Sequence, residues 1–282
     1  MNTGNLLTLL AGLLYLVCLI LVFNRLRTRL KQYQGDFQTR ESQPQTGNTR
    51  YYLALWFIAL LTHIIALHYP LISGQAMTLD YITVGSYVMW LISVILFFTT
   101  FKRNIEVLAI IVIPITLIAL LTPIIIDPQP SPLINMKSGL GIHILFSLLA
   151  YSMLMLASFQ ALLLAVQNKQ LHRRKSSAIM NTLPSLEDME HLLFRFITIG
   201  VILLSIGLLS GFYFLDNLFG TNIAHKTILS IFAWIVFSVL LYGRWQYGWR
   251  GKKAVNWTLA GFVLLMLAFF GTKVIQEFIS SS

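Results

Sequence analysis

Eight long apolar stretches, separated by polar segments, limit what this chain can fold into. A helix needs about 20 apolar residues to cross a bilayer, and eight stretches meet that requirement. They are 5–24, 51–70, 81–101, 105–126, 140–167, 192–215, 226–242 and 256–278. Continuous apolar runs such as 117–126 exclude a transmembrane β-barrel, whose strands alternate apolar and polar residues. The sequence predicts an all-α, polytopic integral membrane helical bundle with eight transmembrane helices, forming one membrane domain over 1–282.

Composition supports a membrane protein. Charged residues make up 11% of the chain and hydrophobic residues 57%, whereas a soluble domain carries about 25% charged residues. The chain therefore cannot cover itself with a charged surface. Its single cysteine, Cys18, excludes an internal disulfide and a cysteine-rich metal site.

The basic residues predict the orientation. Lys and Arg concentrate in the segments that follow spans 1, 3, 5 and 7, and Arg195 lies on the same side. Only Lys137, Lys226 and Lys273 lie on the other side. Because short cytoplasmic loops carry the excess of Lys and Arg, we expect both termini to lie outside. The net charge of +10 thus reflects membrane topology and not nucleic-acid binding.

Two cytoplasmic linkers are expected, at 25–50 and 168–191. The second contains a helix-start pattern in which Ser185 is followed three residues later by Asp188. We expect a helix that begins there and continues into span 6. Within span 6, Gly207 and Gly211 form a G-x-x-x-G pair that predicts a close helix contact.

Histidines are the residues best suited to chemistry here. His172 and His191 lie among charges in the second linker, where a surface role is expected. The remaining four are assigned to the outer half of the bundle or its outer edge, namely His63, His68, His143 and His225. At 1.5 Å per residue, His63 lies about 18 Å along span 2, past the midplane of the bilayer.

Neutral imidazoles from different helices can hold haem iron between them. Residues suited to cover the porphyrin or meet its propionates are Trp90, Trp234, Phe212, Tyr213, Phe214, Phe219, Lys226 and Lys137. Roles without a cofactor fit His63 equally well, since an intramembrane histidine can hydrogen-bond to a neighbouring helix. They are favoured for His68 and for the aromatic residues, which are common in packing and at the interface. Residue types and spacing leave both interpretations open.

Several segments of the chain resemble the cytochrome c assembly family of membrane proteins, which includes CcsA, CcmC and HemX. The segment 141–151 is similar to the histidine-led helix of that family, and 237–254 to its segment after the tryptophan-rich loop. Residues 269–271 fit the closing helix. Residues 185–190 and 192–195 resemble the YpjD-type branch of inner membrane proteins.

The resemblance implies a multi-pass protein of the inner membrane that handles haem at its outer face and takes part in cytochrome c-type assembly. His143 matches the family's first outer histidine, and His63 its intramembrane histidine. The cofactor implied is b-type haem. The partners implied are haem itself, a cytochrome assembly or other membrane protein and the lipid bilayer, with no nucleic acid.

The chain departs from the family pattern in two places. Residues 212–224 contain no tryptophan, so the WWD motif is absent, and 272–282 contain no histidine. We therefore expect His225 to pair with His143 at the haem iron, with His63 as a deeper site. Bond-making by the protein itself is not expected. The alternative is a transporter, or a regulator of one, with structural or pH-sensing histidines.

The predicted orientation can be tested by labelling. Cysteines introduced at Gln43 and Ser176 should be shielded from an impermeant thiol reagent in intact cells, because both lie in cytoplasmic linkers. A cysteine at Ser131 should react. Labelling of position 176 from outside would reverse the orientation.

Overall fold

The computed structural model describes residues 3–34, 47–74, 80–101, 106–126, 139–172, 184–214 and 224–280. Within these ranges eight helices are long and apolar enough to cross a membrane. They are α1 (Thr3–Gln34), α2 (Gly47–Ile72), α3 (Tyr81–Thr100), α4 (Glu106–Ile125), α5 (Leu140–His172), α6 (Leu186–Phe214), α7 (Ala224–Tyr247) and α8 (Lys252–Ser280). The all-α, eight-helix prediction is confirmed, whereas the side on which the termini lie stays a prediction.

Helical structure continues into both expected linkers. Helix α1 ends at Gln34, ten residues beyond the apolar stretch, and α5 continues to His172. Hydropathy marks where a helix leaves the apolar core, but Gln, Lys, Arg and Leu remain good helix formers in water. The parts of the linkers at 35–46 and 173–183 lie outside the described residues, as do the labelling positions.

The predicted start of α6 is confirmed. The backbone N–H of Asp188 donates to Ser185 Oγ at 3.1 Å, and the Ser185 hydroxyl donates to Asp188 Oδ2 at 2.7 Å. The pair therefore satisfies one of the backbone donors that a helix leaves free at its first turn. Helix α3 begins in the same way, with Asp80 accepting from the N–H groups of Ile82 and Thr83.

The chain divides into two compact units. Unit 1 contains α1–α4 and unit 2 contains α6–α8 with α5 up to Lys169. The single membrane domain expected over 1–282 stays a prediction.

In unit 1 each helix runs antiparallel to the next. Early residues of α1 contact late residues of α2, as Gly4 does with Tyr69, while Cys18 lies against Tyr52. Helix α4 returns along α1, and an ion pair joins Arg25 Nε to Glu106 Oε1 at 2.8 Å. Both side chains are largely buried, so each charge needs its partner nearby.

Unit 2 is also an up-down-up-down arrangement. Helix α5 meets α6 at Leu154 and Gly200 and again at Gln160 and Met189. Contacts of α7 with α6 and α8 follow the same antiparallel order, at Trp234–Ser205 and Phe237–Gly261. The first turns of α5 and α7 therefore lie at the same end of unit 2 as the last turns of α6. We call these three segments the histidine end.

The opposite end of unit 2 is held by a buried carboxylate. Glu190 on α6 accepts from Arg250 Nε and from the backbone N–H of Gly251, both at 2.8 Å. The hydrogen bond from Arg250 to Glu190 raises the pKa of the Arg250 guanidinium. Arg244 lies over the Phe194 ring. Arg244 and Arg250 thus lie at the end of unit 2 away from His143 and His225.

Candidate functional site

The imidazole of His143 lies against the last two turns of α6. His143 is in the first turn of α5, and its Nδ1 is 2.8 Å from the backbone carbonyl oxygen of Gly207. The Ser210 hydroxyl donates to the same carbonyl at 2.8 Å and lies 3.4 Å from Nδ1. The predicted G-x-x-x-G contact is confirmed, and the imidazole is part of it.

This hydrogen bond determines the tautomer of His143. A carbonyl oxygen can only accept, so Nδ1 must carry the hydrogen. In the neutral ring the lone pair is then on Nε2. Histidines that bind metals commonly donate their other ring N–H to a backbone carbonyl in this way, which fixes the ring and raises its basicity. His143 thus has one ring nitrogen held by a backbone carbonyl and the lone pair on the other.

Glycines allow the close approach at the histidine end. A Cβ at residue 211 would lie 3.0 Å from His143 Cε1 and 3.1 Å from Nδ1. Gly139, which precedes α5, has φ +56° and contacts the Phe214 ring so closely that no Cβ would fit. The start of α5 and the end of α6 are therefore held together, with His143 between them.

His225 is the second residue of α7, at the same end of unit 2. Its Nε2 is buried and has no hydrogen-bond partner among the described residues. Leaving a buried polar atom unpaired costs about 1–3 kcal/mol, so such an atom in a native fold calls for an explanation. A metal ion bound to this nitrogen would supply that explanation, because the metal accepts the nitrogen lone pair.

His63 is in unit 1 and is fully buried. Its Nδ1 is 3.2 Å from the Tyr15 hydroxyl on α1, and its Nε2 is 3.1 Å from the Ser86 hydroxyl on α3. Both ring nitrogens are thus hydrogen-bonded, whichever neutral tautomer is present. A metal could bind His63 only after one of these bonds opened.

His68 and His191 have local partners. His68 Nδ1 donates to the Ile64 carbonyl of its own helix at 3.0 Å, and the ring packs edge-on against Tyr87. His191 is exposed and lies 3.7 Å from Glu187, one turn earlier. The side chain of His172 lies outside the described residues.

The residues expected around a porphyrin fall in different places. Trp90 is in unit 1 and donates to the Leu60 carbonyl, while Trp234 donates to Ser205. Residues at or near the histidine end, with side chains at least partly accessible, are Phe212, Tyr213, Phe214 and Lys226. Phe219 and Lys137 lie outside the described residues.

Several residues of the site and of the His63 network were missed by sequence reasoning. Tyr15 and Ser86 belong to ordinary apolar spans, and Ser210 is a common helical residue, so none carries a signal alone. The Gly207–Gly211 spacing was the one usable signal, but it indicates a close contact and does not identify the side chain that makes it.

Comparisons with known proteins agree with this architecture. The family model described as Cytochrome C assembly protein matches residues 52–280. The inner membrane protein YpjD of Escherichia coli K12 is 35% identical over 227 residues, which cover 79% of this chain and 85% of YpjD. The cytochrome c biogenesis protein CcsA of Guillardia theta is 28% identical over 201 residues, covering 63% of this chain and 66% of CcsA. The chain is a polytopic membrane protein that belongs to the cytochrome c assembly family.

The His63 network generates a stability prediction. His63→Ala removes a buried hydrogen-bond partner from the Ser86 and Tyr15 hydroxyls. Because Tyr15 also hydrogen-bonds to Ser93, the cost of an unpaired buried group, about 1–3 kcal/mol, falls mainly on Ser86. We expect a clear fall in the melting temperature of the detergent-solubilised protein. His68→Ala, five residues later on the same helix, should lower it much less, because the partly buried His68 hydrogen-bonds to a carbonyl of its own helix and leaves no buried hydroxyl unpaired. Equal melting temperatures for both variants would contradict this account.

Proposed function

We propose that the protein handles haem in the inner membrane and supports cytochrome c-type biogenesis. The observation that carries the proposal is the hydrogen bond from His143 Nδ1 to the Gly207 carbonyl, which leaves the lone pair of the neutral ring on Nε2. Membership of the cytochrome c assembly family supports the biogenesis role. The name of the relative YpjD supports the inner membrane.

The proposed ligands of a b-type haem are His143 and His225. Both are in the first turn of their helices and at the same end of unit 2. The buried Nε2 of His225, which has no hydrogen-bond partner among the described residues, would gain a partner at the iron. The exposed aromatic residues Phe212 and Tyr213 offer apolar surface at this end, where Lys226 offers a positive charge for a propionate.

The role of the protein in this proposal is binding and positioning. Haem would be the cargo, presented for use by a membrane-associated assembly partner, and no side chain is required to make or break a bond. His63 remains the proposed deeper site. Because both of its nitrogens are hydrogen-bonded, haem binding there would require local opening of the α1–α2–α3 network.

The outer face is the proposed location of the haem. The histidine end of unit 2 lies opposite the end that carries Arg244, Arg250 and Lys252. The positive-inside rule assigns a basic end to the cytoplasm. The histidine end would then face outward, in line with the predicted topology.

A second candidate function has its own supporting observation. The complete hydrogen bonding of His63 is what a structural histidine in a transporter, or in a regulator of one, would show. That alternative predicts a protein without bound haem. It also leaves unexplained why the buried Nε2 of His225 has no hydrogen-bond partner in the part of the chain that the structure describes.

Absorption spectra of purified variants test the proposal. Protein purified in mild detergent from haem-replete cells should show a Soret band and the sharp reduced bands of low-spin haem. His143→Ala or His225→Ala removes one axial ligand and should produce high-spin haem or lose the haem. His191→Ala is the matched control and should retain the wild-type spectrum, because the exposed His191 side chain lies on the first turns of α6.

Two results would overturn the proposal. One is a colourless, folded wild-type protein from cells supplied with ample haem. The other is a low-spin spectrum that persists in both His143→Ala and His225→Ala, which would place the haem on other ligands.

A further inference from the structure

We propose that the α6 segment 207–211 is a seat that holds the His143 imidazole in its metal-binding orientation, with Gly211 and Ser210 as positioning residues. The inference rests on the proposed haem function and deepens it. It assigns a role to residues of α6 that do not themselves bind iron, and it makes the properties of the haem depend on them.

Gly211 supplies the space for the ring. A Cβ there would lie 3.0 Å from His143 Cε1 and 3.1 Å from Nδ1, but 3.9 Å from Nε2. The backbone of Gly211 is ordinary right-handed helix, so its conformation does not demand glycine. Alanine would favour the helix by about 0.8–1 kcal/mol. The reason for glycine at this position is therefore contact with the imidazole.

Gly207 brings the acceptor to the ring. A Cβ at this residue would lie 3.2 Å from Ser147 Oγ and 3.6 Å from Ser147 N, one turn of α5 beyond His143. The absence of a side chain lets the two helix backbones approach. The Gly207 carbonyl can then reach His143 Nδ1 at 2.8 Å.

Ser210 shares that acceptor with His143. Its hydroxyl donates to the Gly207 carbonyl at 2.8 Å, the same distance as the bond from Nδ1. Two hydrogen bonds that share one acceptor oxygen weaken each other. Loss of the Ser210 hydroxyl would remove one donor from this oxygen, strengthen the Nδ1–H bond and make the imidazole more basic. A more basic axial ligand stabilises ferric over ferrous iron.

Substitutions at the two positioning residues should change the haem in different ways. In Gly211→Ala the ring must move, so the low-spin spectrum should become partly or wholly high-spin, and haem affinity should fall by about 10- to 100-fold. In Ser210→Ala the spectrum should stay low-spin while the midpoint potential shifts to a more negative value. A purely structural role for Ser210 would not move the potential.

Gly200→Ala is the matched control. It is the same substitution on the same helix, and its Cβ would lie 2.6 Å from Leu154 Cδ2 on α5. It disturbs the α5–α6 packing away from the imidazole. Its haem spectrum and potential should equal those of the wild type even if the melting temperature falls.

A measurement on the haem-free protein separates this inference from the proposed function. Nitrogen NMR of ¹⁵N-histidine-labelled protein should show a protonated Nδ1 for His143, assigned by its loss in His143→Ala, and Gly211→Ala should shift or abolish that signal. If the wild type binds no haem, the proposed function fails. The NMR result still tests whether residues 207–211 hold the His143 imidazole in place. An unchanged His143 signal in Gly211→Ala, or an unchanged midpoint potential in Ser210→Ala, would contradict the proposal that these residues position the imidazole. If Gly211→Ala does not fold, Ser210→Ala decides alone.

Discussion

The cost of an unpaired polar group away from water governs this structure. In the hydrocarbon core no water can satisfy a backbone or side-chain group, so helices form and polar side chains find protein partners. Arg25 pairs with Glu106, Glu190 holds Arg250 and the Gly251 N–H, and Trp56 donates to Ser93. At the histidine end of unit 2, His225 Nε2 is one of the few buried side-chain atoms without a hydrogen-bond partner among the described residues, and Arg25 Nη1 in unit 1 is another.

His63 and His143 differ in how their ring nitrogens are hydrogen-bonded. His63 uses both ring nitrogens for hydrogen bonds across three helices, which joins α1, α2 and α3. The Nδ1 of His143 is hydrogen-bonded to α6, so the other nitrogen carries the lone pair. The first arrangement stabilises the fold, whereas the second leaves a nitrogen suited to a metal.

Much of the fold was predictable because it depends on apolar length. All eight helices and the Ser185 helix start follow from hydropathy and a capping pattern. The helix ends at Gln34 and His172 were not predictable from hydropathy, because a helix does not stop where the apolar core ends. Hydropathy also gives no sign of the division into two compact units, since that division depends on which apolar faces pack together.

The candidate site was only partly predictable. Residue type and position identified His143 and His225, but not the hydrogen-bonding state that distinguishes a ligand from a structural histidine. That state depends on Gly207, Ser210 and Tyr15, which are distant in sequence and chemically ordinary.

The central claim is that two imidazoles from the histidine end of unit 2 hold haem iron. Pulsed electron paramagnetic resonance of the ferric protein, labelled with ¹⁵N-histidine, tests it most directly. The account predicts a low-spin signal with nitrogen couplings from two histidine imidazoles, and loss of that signal when both His143 and His225 are replaced by alanine. A high-spin signal in the wild type, or two histidine couplings that survive the double replacement, would contradict it.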